Sequence, residues 1–241
     1  MKALLKQIGK RRHLVFLDLE GTQFTHEMIA LGAIKVDIGH SGNIRKIHDG
    51  IKIFVKPEGK IGNFVIGLTG ITKEQLDKEG VSYKEVLIKF KKYCGLTFSR
   101  SAFVTFGSHD LRIIMQSLVH SPDADADTAK LICHNNIDLS ATVAQFVKDA
   151  NNNPLSLMNY LKVFKVTPEG IPHDPLWDAK NLALLYQAIL AKNDVLFEEY
   201  LKVLKNMRHL PKPVLNAITK LVDGETVKPE DFKKEVKEFV K

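Results

Sequence analysis

The chain has 241 residues, 44% of them hydrophobic and 26% charged, with a formal charge of +7. That apolar content can bury a full core, so the chain reads as one large folded domain with room for a small appendage. No window approaches the roughly 18 uninterrupted apolar residues of a membrane span, which excludes a helical membrane protein.

In chain order, residues 1–12 carry five basic groups (Lys2, Lys6, Lys10, Arg11, Arg12) and no acid, and read as a basic leader. The leader has neither an apolar h-region nor a small-residue cleavage site, so no secretory signal is expected. His13-Leu-Val-Phe-Leu-Asp-Leu19 is rich in β-formers and predicts a buried central strand. Met28 to Ile38 predicts a second strand, His40–Asn43 a turn, and Ile47 to Val55 a returning third, so an antiparallel meander opens the domain. Thr72-Lys-Glu-Gln75 and Ser82-Tyr-Lys-Glu85 match the capping-box pattern, with Gly80 placed to separate two short helices. The texture then alternates: strand Ala102–Phe106, helix Asp110–His120, a short strand Leu131–Cys133, and helices over 139–150, 155–164 and about 176–190. Cys94 and Cys133 form no metal-ligand spacing and fit buried thiols in a reducing compartment, so a cytoplasmic location is expected.

A three-stranded meander followed by alternating strands and helices is the element order of an α/β protein of the ribonuclease H-like class. The expectation is a mixed five-stranded sheet flanked by helices over residues 13–191. Residues 192–241 keep helical periodicity, broken at Pro211, Pro213 and Pro229, and read as a helical C-terminal extension. Its stripes, including Phe197, Tyr200 and Phe232, are expected to pack against the preceding domain. The extension carries eleven basic and nine acidic groups; with the leader's five, this leaves residues 13–191 balanced at 19 of each.

Three acidic motifs lie far apart in that neutral middle. Asp18 and Glu20 flank Leu19 on the first strand, and side chains two apart on a strand share a face. Unpaired carboxylates in a buried sheet cost several kcal/mol each, so a cation, a basic partner or solvent must compensate. Asp110 opens a helix directly after a strand and Gly107, where a plain helix cap is the bland alternative. Asp178 falls in the first turn of another helix, five residues after His173, which stands in a loop bracketed by Pro172 and Pro175. Four converging carboxylates could hold two divalent cations roughly 3.5–4 Å apart and clamp an in-line displacement at phosphorus. A loop histidine would suit the base that deprotonates water.

At these residues the chain resembles the DEDDh 3′-5′ exonucleases, which include RNase T, oligoribonuclease relatives and polymerase proofreading subunits. The resemblance runs from about Leu14 to Tyr186, through Phe16-Leu-Asp-Leu-Glu-Gly-Thr22, Thr105-Phe-Gly-Ser-His-Asp-Leu-Arg112 and His173-Asp-Pro-Leu-Trp-Asp-Ala-Lys-Asn181. His26-Glu-Met-Ile29 and Leu68-Thr-Gly-Ile-Thr72 look most like the Eri-1-like branch that trims RNA ends. It implies that Asp18, Glu20, Asp110 and Asp178 bind two Mg²⁺ or Mn²⁺ ions and that His173 activates water. It also implies that nucleoside 5′-monophosphates leave one at a time from the 3′ end of single-stranded RNA or DNA. Gly21 and Thr22 would line the terminal nucleotide, and His109 would stand where the branch often has a stacking aromatic residue.

Asp123-Ala-Asp-Ala-Asp127 imitates the opening of a calcium loop, but Thr128 and His134 replace the required Gly and Glu. A rival reading of another class is a catalytically weak nucleic-acid-binding module that works through a protein partner, such as a polymerase or helicase, docked on the C-terminal helices.

Overall fold

The computed structural model describes residues 2–207 and 209–240. Strand β1 (His13–Gly21) pairs antiparallel with β2 (Met28–Ile38), with Asp18 opposite Gly32 and Glu20 opposite Ala30. The other edge of β2 is shared: β3 (Ile44–Ile47) pairs with Val36–Ile38 and β4 (Ile51–Phe54) with Ala30–Ala33. β5 (Ala102–Thr105) runs parallel to β1, and β6 (Asn136–Asp138) runs parallel to β5.

The mixed sheet therefore has six strands, not five. The single returning strand expected from Ile47 to Val55 is broken over His48–Gly50. There the Tyr93 hydroxyl replaces a ladder rung, accepting from the Lys35 N–H and donating to the Asp49 carbonyl, both at 2.9 Å.

On one face of the sheet Leu14 and Phe16 share a core with α1 (Lys2–Ile8) and with helices from the second half of the chain. α1 lies within the basic leader, and its Leu4 and Ile8 are buried in that core. α2 (Asn63–Thr69) and α3 (Lys73–Glu79) follow the meander, α2 being a helix the sequence did not announce. Thr72 caps α3 by accepting from the Gln75 N–H, and the full reciprocal box forms at Ser82–Glu85, opening α4 (Tyr83–Cys94).

On the other face Val15, Leu17 and Leu19 pack against α4, α5 (His109–His120) and α6 (Ala126–His134). α6 contains Leu131–Cys133, which were expected as a strand. Asp125 caps that helix through the Asp127 and Thr128 amides, and Thr128, Ala129 and Ile132, at helical spacing, are its buried positions. A three-residue apolar run fits either period, and the cap decides for the helix. The calcium-like segment is accordingly a helix start, with Lys84 on Asp123 and Lys91 on Asp125.

α7 (Leu139–Val143) and α8 (Leu157–Val163) are shorter than the sequence suggested, and α9 (Pro175–Ala191) crosses the first face over β1 and β2. Gly32 makes this crossing possible, because a Cβ there would overlap the Pro175 carbonyl. Opposite Asp18, the sheet thus admits the start of α9 at backbone contact.

α10 (Asn193–Lys205) docks through Leu196, Val203 and Tyr200, whose ring meets Phe146 edge-on at 5.3 Å. Phe197, expected to pack, falls between these positions and is 59% exposed. α11 (Lys212–Val222) packs on α10, and α12 (Pro229–Phe239) on α11. Among the described residues no helix is long and apolar enough to cross a membrane.

Candidate active site

Strand alternation turns Asp18 and Glu20 to the face on which α9 lies, while Leu17 and Leu19 enter the opposite core. Asp110 is the second residue of α5, not its cap, and is 5% exposed. Its Oδ1 accepts the Leu19 N–H at 2.9 Å, which pins α5 to the strand between the two acids. Asp178, in the first turn of α9, is 8% exposed; its Oδ2 accepts the His173 N–H at 2.9 Å. Its Oδ1 is buried with no hydrogen-bond partner among the described residues. His173 itself is exposed, with its backbone in the left-handed region at φ 63°.

The four carboxylates feel one another. Burial raises Asp18 well above the ordinary carboxylate range, and Asp110, Asp178, Glu20 and Asp174 each add repulsion. Burial, then Asp178, Asp110 and Asp174, push Glu20 to about 8, against the pull of Lys52. Asp110 is raised by burial despite the Leu19 amide, and Asp178 is raised by burial against the His173 amide and the Asn181 side chain. Acids so perturbed by burial and by each other mark a functional cluster more than a structural one.

Two participants escaped the sequence reading. Asp174 caps α9 through the Leu176 and Trp177 amides, and its Oδ2 holds Lys52 Nζ at 2.7 Å. The Asp174-Pro175 pair is a legible helix start, but Lys52 sits on β4, and only the pairing of β4 with β2 brings it to the cluster.

A group of hard oxygen donors with an orphaned buried oxygen fits a Mg²⁺ or Mn²⁺ site. Among the described residues, no three His, Cys, Asp or Glu side chains are already gathered in a metal-holding arrangement.

Gly21 presses on α5, since a Cβ there would come within 2.9 Å of Ile113. Thr22 is 1% exposed; its N–H donates to the Glu27 carbonyl and its hydroxyl accepts the Glu27 N–H, so it fixes the following turn. Buried Glu27 in turn accepts from the Glu58 and Gly59 amides, fastening the 56–62 segment alongside. His109 is exposed and meets His26 edge-on, ring centroids 5.4 Å apart.

A pocket of about 860 Å³ opens next to this turn, lined by Gln23, Phe24, Lys60, Phe64, Lys73 and neighbours. None of the four acids lines it. Phe24 and Phe64 are 72% and 68% exposed, two aromatic faces left in solvent.

The RNase_T exonuclease family profile matches residues 15–186, a span that contains all four acids and His173. The chain belongs to the RNase_T exonuclease family. The resemblance to DEDDh-type 3′-5′ exonucleases drawn from its motifs is thereby borne out, as is the ribonuclease H-like fold. Among solved structures, the family member is similar to a full-length 3′-exonuclease at 22% identity and a TM-score of 0.61, over 77% of this chain and 62% of that one. It is also similar to the nuclease domain of 3′hExo, a DEDDh family member bound to rAMP, at 20% identity and TM-score 0.61, over 77% and 94%. E. coli exonuclease I in complex with a dA16 oligonucleotide gives 16% identity and TM-score 0.58, over 81% and 44%. The chain thus spans about three fifths of the full-length 3′-exonuclease and under half of exonuclease I. No curated protein sequence matches it.

Proposed function

We propose that this exonuclease-family protein is a metal-dependent 3′-5′ exonuclease. It would hydrolyse the terminal phosphodiester of single-stranded RNA or DNA and release nucleoside 5′-monophosphates. What supports this is the burial of Asp18, Glu20, Asp110 and Asp178 and the repulsion that Asp18 and Glu20 feel from the others, with one Asp178 oxygen left without a hydrogen-bond partner among the described residues.

These four carboxylates would hold two Mg²⁺ or Mn²⁺ ions, whose chemistry is Lewis-acid stabilisation of charge on the attacking and leaving oxygens. His173, exposed at the rim and tied through its amide to Asp178, takes the proton from the attacking water. Lys52 neutralises part of the acid charge at Glu20 and keeps Asp174 engaged in capping α9. Gly21, at the end of β1, and His109, at the start of α5, line the terminal nucleotide, and Thr22 fixes the turn that follows Gly21. Phe24 and Phe64, beside Lys60 and Lys73, offer stacking faces and cations of the kind a single strand uses. Of the similar structures, two are described with rAMP and with dA16, which supports a 3′ end of either polymer as the ligand class.

The test is release of mononucleotides from matched RNA, single-stranded DNA and 3′-overhang duplexes carrying a label at one end or the other. With Mn²⁺ or Mg²⁺, the 3′-terminal label should appear as mononucleotide from the first time points, and a 5′ label only at the end. No release, or release from the 5′ end first, would overturn the proposal. In the no-release case, binding without turnover would favour the rival, a module acting through a protein partner on the C-terminal helices.

A further inference from the structure

We infer that Asn181 is a positioning residue for the proposed base, holding the loop that carries His173 in register with Asp178. Asn181 is fully buried and lies one turn beyond Asp178 on α9. Its amide group grips a single backbone unit: Oδ1 accepts the Glu169 N–H at 2.8 Å and Nδ2 donates to the Glu169 carbonyl at 3.0 Å. Glu169 is itself exposed, so this buried side chain, which also favours the charged form of Asp178, ties a surface loop to α9.

A second contact holds the next residue. Gly170 has φ +69°, and a Cβ there would overlap the Trp177 ring, so the indole lies flat against the glycine. Lys180 Nζ covers that ring at 4.0 Å from its centroid. The third contact is the His173 amide on Asp178. Asn181 lies one turn from both Trp177 and Asp178, so a single helix fixes the loop at three successive points.

This matters because the loop is not at rest by itself. A non-glycine residue in the left-handed region costs about 1–2 kcal/mol, and His173 stands there. Released at Glu169, the loop would relax toward ordinary backbone angles and carry the imidazole away from the acids. A displacement of about 1 Å at a reacting group can cost roughly a hundredfold in rate.

The inference rests on the proposed exonuclease activity, so the test has one arm that does not depend on it. Hydrogen–deuterium exchange over residues 166–174 is measured in metal-free protein for wild type, Asn181→Ala and Gly170→Ala. Then kcat and KM are measured on a 3′-labelled oligomer with Mn²⁺. Both variants should exchange faster in that segment, lose about ten- to a hundredfold in kcat and keep KM within about twofold. Gly170→Ala disturbs the loop without touching Asn181 or Asp178; if Asn181→Ala does not fold, Asn181→Ser, which withdraws the amide from Glu169 while keeping a polar group in the buried site, decides in its place. Unchanged exchange in the variants, or faster exchange with wild-type kcat, would overturn the inference. A wild-type protein that releases no mononucleotide would instead overturn the proposed activity, while the exchange arm still decides whether Asn181 holds the loop.

Discussion

Replacing Glu20 with Gln removes one charge from the acid cluster while keeping shape, and should stabilise the metal-free protein at alkaline pH. Glu20 is raised from an ordinary 4.5 to about 8, burial being the largest cause and Asp178 the next. The native state therefore holds more protons than the unfolded chain between those values. Stability is then fully present below pH 4.5 and falls as pH rises toward 8. At about 1.4 kcal/mol per unit, the whole shift corresponds to at most about 5 kcal/mol. Part of the carboxylate remains in solvent, and screening there reduces the realisable gain to about 1–2 kcal/mol. For a chain of this size that is roughly 3–6 °C in Tm. The assay is thermal unfolding by circular dichroism in a chelator at pH 8 and at pH 4.5. Glu20→Gln should melt higher than wild type at pH 8 and equal to it at pH 4.5. Adding Mn²⁺ at pH 8 should raise wild type more than the variant and shrink or reverse the difference. A variant no more stable than wild type at pH 8, or one whose advantage persists at pH 4.5, would refute the account of the cluster as destabilising without cations.

Asp18→Ala should abolish mononucleotide release at every Mn²⁺ concentration while circular dichroism and Tm in chelator stay at or above wild type, because Asp18 is raised by burial and repulsion. His173→Ala should cut kcat by roughly 10²–10⁴ with substrate affinity kept, and wild-type turnover in that variant would remove the proposed base. Phe24→Ala should raise KM about fivefold or more on single strands of several nucleotides and leave kcat unchanged, stacking on an aromatic face being worth about 1–3 kcal/mol per base; an unchanged KM would sever the pocket from the substrate.

The parts of this molecule legible in its sequence are those set by short-range chemistry. β1, β2, β5, α5 and α9 stand where their periodicity placed them, because each couples a long apolar pattern to a turn or cap beside it. Asp110 shows where such reasoning stops: by position it is an ordinary helix-start acid, and only the fold reveals that it accepts the amide of Leu19 on a distant strand. The broken third strand was illegible for the same reason, since Tyr93, 44 residues beyond Asp49, supplies the hydroxyl that interrupts the ladder. Lys52 and Asn181 carry no local signal of their roles, a lysine on a strand and an asparagine in a helix being ordinary. Where two periods competed, as at Leu131–Cys133, a capping aspartate six residues upstream settled it.

Clustering four acids is costly, and the fold lowers the cost by where it places them. Asp110 and Asp178 lie in the first turns of α5 and α9, and those turns abut the acids of β1. Helix N-termini carry partial positive charge and unpaired amides, each favourable to a nearby anion by about 0.3–1 kcal/mol. Amides are also used directly: Leu19 donates to Asp110 and His173 to Asp178. These devices fall short of what repulsion demands, since Asp18, Glu20, Asp110 and Asp178 all remain raised. The shortfall has the sign that favours cation binding: every proton such a cluster retains near neutral pH is one that a divalent ion can displace. Cation uptake should therefore release protons, and calorimetric titration of Mn²⁺ in buffers of different ionisation enthalpy measures how many. Release of at least one proton per protein at pH 7 is expected from Glu20 and Asp18 together; uptake without proton release would mean that the carboxylates were already ionised and the cluster already balanced.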